Sequence, residues 1–306
     1  MKIGIASHVV IDSIIDSEGA KIESPGGPAC YGSVIAKTFG LDVELFTKVG
    51  NDISDKLKFL EENGISIKND QIDEKSPTTR FQLFLNKEGG RKLFLSSKCS
   101  PVDISCQDVD DLDGVILSPV MDEISTNVFQ SFGKKKKEKF IMLDPQGFLR
   151  FCNDETMLIS YKSHLGLDFT GITAIKTDEE ELSTLTNGVI GVEGMKLLKK
   201  KFSLEFVIST GHNGASFLSK NVLYSLSFNQ VPSPDSTGLG DILTSGFSCS
   251  YIKERDPLWA FCFGAGSVIA SLDSKKGGLE KVPRKMSLIE RNASYFYNTV
   301  KFKILD

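Results

Sequence analysis

The chain has 306 residues, 40% of them hydrophobic and 25% charged, enough to bury a large core without disulfide or metal staples. Lys and Arg total 36 against 40 Asp and Glu, a net charge of -4, so there is no basic excess of the kind that neutralises nucleic-acid phosphates. Six scattered cysteines include no C-x-x-C pair, which points to reduced thiols and away from a zinc site. The apolar start is broken by His8 and Asp12, leaving no export signal, and a cytoplasmic protein is expected.

In chain order, residues 2–6 read as a short buried strand, and residues 9–15 and 20–24 as a hairpin with Gly19 near its turn. Residues 43–47 form the next strand, followed by an amphipathic helix over 54–63 closed by Gly64. A second hairpin runs over 79–85 and 91–95 around the Gly-rich turn 86–90. Buried strands follow at 114–117, 140–143, 174–176 and 206–209. The acidic run 108–114 lacks the outer ligands of a calcium loop and reads as a solvated turn, as the lysine run 134–139 reads as a solvated end. Residues 257–272 carry no charge but fall short of the ~20 residues a membrane span needs, so a buried helix is expected. This alternation predicts a single α/β domain over residues 1–306 with a doubly wound, mostly parallel sheet, ligands binding beyond the carboxyl ends of its strands. The two hairpins have no slot in such a core; segments at about 9–25 and 77–97 are assigned to a small β-sheet lid.

The strongest chemical signal is Asp235-Ser236-Thr237-Gly238-Leu239-Gly240-Asp241, which opens a helix over 242–253. Small residues before a helix let free N–H groups close around an anion, and the helix dipole adds about half a positive charge. A carboxylate beside a phosphate site repels the ligand unless it has a proton to take, which makes Asp241 a candidate general base; the plain alternative is an N-capping Asp. The chain contains neither a P-loop nor a G-x-G-x-x-G fingerprint, disfavouring a P-loop enzyme or a dinucleotide oxidoreductase. His8, His164 and His212 stand alone, without a metalloprotease helix or a nucleophile elbow.

With these blocks assembled, the whole chain resembles the ribokinase or PfkB family of carbohydrate kinases. Residues 235–241 are similar to that family's second signature and Gly26-Gly27-Pro28-Ala29 to its first glycine pair. Ser7 to Asp12, Val49-Gly50-Asn51-Asp52, the lid hairpin and Thr210-Gly211 with Gly214 occur in family order. Asp144-Pro145-Gln146-Gly147-Phe148-Leu149-Arg150, Ser118-Pro119-Val120 and Gly27 to Tyr31 look most like an archaeal branch related to myo-inositol kinases.

The resemblance implies an ATP- and Mg²⁺-dependent phosphotransferase acting on a hydroxyl of a sugar, polyol or nucleoside. Asp241 would take the acceptor's proton, while the N–H groups of Gly238, Leu239 and Gly240 hold the transferring group. Asp12 with the Gly26 and Gly27 backbone would bind acceptor hydroxyls; Arg80 and Arg150 are candidates to clamp an acidic or phosphorylated acceptor. Thr210, Gly211, Gly214 and Thr237 would contact the nucleotide. Asp178, in place of the family's usual Asn, and Glu181 would organise Mg²⁺. Leu239 stands where Ala is usual, so its side chain must find room among neighbouring helices. The resemblance also implies a homodimer through the lid, with alternate members of Phe81, Leu83 and Leu85 suited to the contact. A catalytically idle nucleotide or sugar sensor on the same fold is the rival from another class.

Overall fold

A computed structural model describes residues 1–15, 18–85, 91–134, 139–162, 166–211, 213–228 and 235–305. His164, His212, the hairpin turn 86–90 and most of the lysine run lie outside the described residues. Numbered along the chain, the strands are β1 (Lys2–Ala6), β2 (Val10–Ile15), β3 (Lys21–Gly26), β4 (Asp42–Phe46), β5 (Val49–Gly50), β6 (Ile72–Asp73), β7 (Thr79–Leu85), β8 (Arg91–Ser97) and β9 (Gly114–Leu117). They continue as β10 (Phe140–Leu143), β11 (Arg150–Cys152), β12 (Ile159–Tyr161), β13 (Ala174–Asp178), β14 (Phe206–Gly211), β15 (Gly214–Ser219), β16 (Val222–Ser227) and β17 (Lys301–Ile304). The α-helices are α1 (Gly27–Thr38), α2 (Leu57–Glu62), α3 (Asn127–Lys134), α4 (Gln146–Leu149), α5 (Glu179–Leu185), α6 (Gly191–Phe202), α7 (Leu239–Glu254), α8 (Pro257–Asp273) and α9 (Met286–Thr299).

Nine strands form the central sheet in the order β17-β16-β15-β14-β13-β10-β9-β1-β4. From β4 to β14 all pairings are parallel. Every residue of β9 and β10 is buried, as expected of strands covered by helices on both faces. Two aliphatic and aromatic clusters fill those faces, one around α1, α7 and α8, the other around α3, α5 and α6. The doubly wound, mostly parallel α/β sheet expected from the alternation is therefore present. Its other edge is antiparallel, β14-β15-β16-β17. The signal for it was a two-residue turn at Lys220-Asn221, where Lys220 takes a left-handed φ of 52°. The helix expected over 54–63 is confined to α2, because Asn51–Ile53 winds instead as a 3-10 turn.

A separate four-stranded sheet, β3-β2-β7-β8, is the expected lid. Parallel pairing of β2 with β7 sets Asp12 beside Phe81 and Ile11 beside Arg80, so Asp12 and Phe81 share one face and Arg80 takes the other. Phe81 packs inward with Val10, Leu95, Val120 and Met121, and Leu83 shares its face. The pairing surface inferred from Phe81 and Leu83 is thus corrected: alternation turns those side chains toward the body and puts Phe84 outside, while the side chain of Leu85 lies outside the described residues. A β11–β12 hairpin, not anticipated, reaches the free edge of the lid, where the Leu95 N–H donates to the Met157 carbonyl at 3.0 Å.

His8 ties together the chain segments that cross between body and lid. Its Nε2–H donates to the Ser100 carbonyl at 2.8 Å, a partner that can only accept, so Nδ1 accepts from the Thr79 hydroxyl at 2.8 Å. The same hydroxyl accepts the Cys99 N–H at 2.9 Å.

Candidate active site

The carboxyl ends of β10 and β13 meet the start of α7. Gly238 adopts a left-handed φ of +74° as the N-cap of α7, and Asp241 lies in the first turn. Among the described residues the N–H groups of Gly238, Gly240 and Asp241 donate to no protein acceptor, and the Leu239 N–H has only a 3.5 Å contact with the Ser236 carbonyl. These free donors at the positive end of a sixteen-residue helix form an anion cradle. Leu239 packs its side chain against the main core cluster, which settles where that larger side chain goes.

The turn is held from below by Asp235. Its carboxylate accepts from the Thr237 N–H and the Gly278 N–H at 2.8 Å each, and pairs with the buried Lys281 ammonium at 2.8 Å. Burial works to raise the Asp235 pKa, but the Lys281 ammonium overrides it and keeps the carboxyl low and ionised. From the side, the turn rests on Tyr31. A Cβ on Gly238 would stand 2.3 Å from the Tyr31 ring, so glycine is required both by the positive φ and by the contact. Gly238→Ala is expected to cost about 1–3 kcal/mol of stability and to cut turnover at least tenfold, measured by thermal denaturation and steady-state rates. An alanine variant as active as the parent would remove the turn from the site.

Asp241 is buried, and its Oδ1 accepts from Gln146 Nε2 at 3.2 Å. It forms no ion pair among the described residues. Burial and the nearby Asp144 carboxylate push its pKa up to about 7, against the pull of Lys176 and Arg150. Asp12 is raised to about 7 as well, by burial and by Asp235, with Arg150 and Lys281 opposing. Its Oδ2 lies 2.3 Å from where a Cβ on Gly26 would stand, so the glycine pair lets the Asp12 carboxylate lie directly against the chain.

Lys176 is the residue that sequence reasoning missed. It is buried in β13 directly after the apolar Ala174 and Ile175, which was the available signal, since an unpaired lysine is rarely placed there. Its ammonium pairs with buried Asp144 at 3.0 Å and Glu181 at 3.8 Å, and lies 2.8 Å from where a Cβ on Gly240 would stand. Burial pulls its pKa down, but the two carboxylates outweigh burial and keep it raised and charged. A cation therefore sits directly under the anion cradle.

The remaining candidates separate. Arg150 lies under the lid: its guanidinium is 5.9 Å over the Phe81 ring and donates to the Val120 carbonyl at 2.8 Å, with further N–H donors remaining. Arg80 is corrected. It sits on the far face of the lid and is tied to Asp52 at 2.9 Å and Glu23 at 3.8 Å, where it anchors the lid rather than a ligand. Asp178 and Glu181 cap α5 reciprocally, the Glu181 N–H donating to Asp178 at 2.7 Å and the Asp178 N–H to Glu181 at 2.8 Å. One oxygen of each carboxylate is left for another use. Gly211 approaches the Glu179 carboxylate and Gly214 the Leu226 carbonyl, at 2.8 and 2.0 Å from their would-be Cβ atoms. The Thr210 hydroxyl has a 3.4 Å contact with the Thr177 carbonyl. Thr237 stays in the cradle loop.

An anion cradle with a buried carboxylate at its rim, opposite a second carboxylate on a lid, is the arrangement of a phosphoryl-transfer enzyme. Residues 12–281 match the pfkB family carbohydrate kinase domain, and the chain belongs to that family of phosphotransferases. A search of curated protein sequences finds no match. Among solved structures, the chain is similar to a pyrophosphate-dependent kinase in the ribokinase family complexed with a pyrophosphate analog and myo-inositol. That pair is 21% identical with a TM-score of 0.76, covering 94% of this chain and 99% of the other. Ribokinase from Thermotoga maritima is 18% identical with a TM-score of 0.74, over 95% and 99% of the two chains. A nucleoside kinase from Methanocaldococcus jannaschii is 17% identical with a TM-score of 0.71, over 96% and 98%. Among the described residues no helix is long and apolar enough to cross a membrane.

Proposed function

We propose that the protein transfers the terminal phosphoryl group of ATP to a hydroxyl of a small sugar or polyol, with a polyol of the myo-inositol kind as the leading acceptor. The observation that carries this reading is Asp241, a carboxylate held close to neutrality beside unpaired helix N–H groups. The acceptor lies between Asp12 and Asp241, under the apolar lid face of Val10 and Phe81, with Arg150 supplying donors to its hydroxyls. Asp241 takes the hydroxyl proton as the oxygen attacks the terminal phosphorus, the bond to the bridging oxygen breaks, and ADP departs in line. Charge gathering on the transferring oxygens is met by the N–H groups of Gly238 and Gly240 and by the Lys176 ammonium beneath them.

Asp178 and Glu181 would hold Mg²⁺ through the carboxylate oxygens that the capping box leaves over, an all-oxygen set suited to a hard cation carried on phosphates. The ion would supply charge neutralisation to the donor. Closure of the lid that carries Asp12 keeps water from consuming the donor. The idle-sensor alternative loses its main support, since Leu239 fits the core and Asp241 is in place. A cytoplasmic setting and a homodimer through the outer lid face, around Phe84 and Phe94, complete the reading.

Pyrophosphate is the second reading for the donor. It is supported by the similarity of this chain to the pyrophosphate-dependent kinase in the ribokinase family. Incubation with ATP, and separately with pyrophosphate, across myo-inositol, ribose, fructose, nucleosides and acidic sugars tests both readings. Phosphorus NMR should show a phosphoester on one polyol or sugar with one of the two donors. Donor and acceptor left intact in every combination would overturn the proposal.

A further inference from the structure

Tyr31 is the most enclosed tyrosine of the chain, 2% exposed, and no step above uses it. Its ring lies against Gly238, the N-cap of the cradle helix, within 2.3 to 2.8 Å of the would-be Cβ at three ring atoms. Its hydroxyl, carried on Cζ, one of those three ring atoms, lies 3.3 Å from the would-be Cβ of Gly26. The Asp12 carboxylate is 2.3 Å from that same point, so the phenol oxygen and the acceptor carboxylate border one patch of backbone. The Lys281 ammonium lies 5.7 Å from the ring centroid and is the same group that anchors Asp235 under the turn. One rigid side chain, with only two rotatable bonds, thus touches the acceptor floor and the phosphoryl cradle at once.

We infer that Tyr31 is a positioning residue that sets the spacing between acceptor and phosphoryl group, its ring fixing the left-handed turn at Gly238 and its hydroxyl completing the acceptor floor beside Asp12. This rests on the phosphoryl-transfer reading of the site. Two facts make the ring suited to it. The ring leaves no room for a Cβ at position 238, and burial holds the phenol well above its ordinary pKa, so its hydroxyl keeps its proton and remains a donor at any physiological pH. The Asp12 carboxylate and Tyr31 hydroxyl then offer an acceptor one proton acceptor and one proton donor side by side. A vicinal diol, whose neighbouring hydroxyls can donate to one and accept from the other, is the acceptor chemistry that matches.

Two variants separate ring from hydroxyl. Tyr31→Phe keeps the ring and is expected to leave kcat within about twofold while raising the acceptor KM by about threefold to tenfold, the worth of one neutral hydrogen bond. Tyr31→Leu removes the ring from beneath Gly238 and should lower kcat by at least about tenfold and weaken the binding of sulfate, used as a probe of the cradle and followed by thermal upshift. Sulfate binding unchanged in the folded Tyr31→Leu protein, or equal effects of both variants on kcat and KM, would overturn the inference. Asp241→Asn run in parallel keeps the two ideas apart: if it loses turnover while both Tyr31 variants behave as the parent, only the role of Tyr31 falls. If it retains turnover, the base assignment falls first.

Discussion

Asp241→Asn should reduce turnover by about 10²–10⁴-fold while leaving donor binding within about threefold of the parent. The substitution is nearly isosteric, and Gln146 can still contact the new side chain, so the turn of α7 keeps its shape. What disappears is the carboxylate proposed to accept the proton. Thermal stability should not fall and is expected to rise slightly at neutral pH, because the fold works against ionising this carboxyl. The sign follows from the raised pKa. Asp241 and Asp12 are both pushed up to about 7, chiefly by burial, so the folded state favours their protonated forms. Their contribution to stability is complete below the ordinary carboxylate range and is lost as pH climbs toward 7. Activity needs Asp241 ionised and rises over the same interval. Catalytic competence is thereby gained at the expense of folding free energy.

The second large effect is expected at Lys176→Met. Asp144 and Glu181 flank its ammonium at 3.0 and 3.8 Å with almost no solvent to replace it. Breaking a buried pair by removing one partner costs about 3–5 kcal/mol. Burial and the Asp144 carboxylate raise the Glu181 pKa and only Lys176 and a backbone N–H oppose them, so in the variant Glu181 takes a proton and Asp144 is the charge left stranded. The melting temperature should therefore fall by about 5–8 °C. Turnover should also drop, since the cradle loses the cation beneath Gly240. The rate that remains should need a higher pH, because Lys176 is one of the groups holding the Asp241 pKa down. A variant that melts with the parent and keeps its pH dependence would separate Lys176 from both roles.

Much of the fold was legible because buried parallel strands and helix punctuation are local signals. The runs at 114–117 and 140–143 became strands with the expected limits, and the uncharged stretch at 257–272 became the buried helix α8. Alternation within the hairpins also revealed the lid. What sequence could not give was the direction of side chains that meet from distant segments. Arg80 and Arg150 look equivalent as isolated cations, yet pairing of β2 with β7 sends one to the outer face and the β11–β12 hairpin brings the other beneath the lid. Lys176, Lys281 and Tyr31 were hidden for the same reason: each acts on the Gly238–Gly240 turn across 35 or more positions of chain, a closeness that exists only after the sheet is wound. The carboxylates of Asp178 and Glu181 show the converse. Three residues apart and ahead of a helix, they satisfy a capping box as readily as an ion, and the structure uses them first as a cap.

The pH dependence of phosphoryl transfer, measured in single turnovers at saturating donor and acceptor, tests the catalytic assignment most directly. The rate should fall with unit slope below about pH 7, and that limb should vanish from the residual activity of Asp241→Asn. A rate that stays flat between about pH 5.5 and 8.5, or a limb that survives in Asp241→Asn, would contradict the assignment of Asp241 as the proton acceptor.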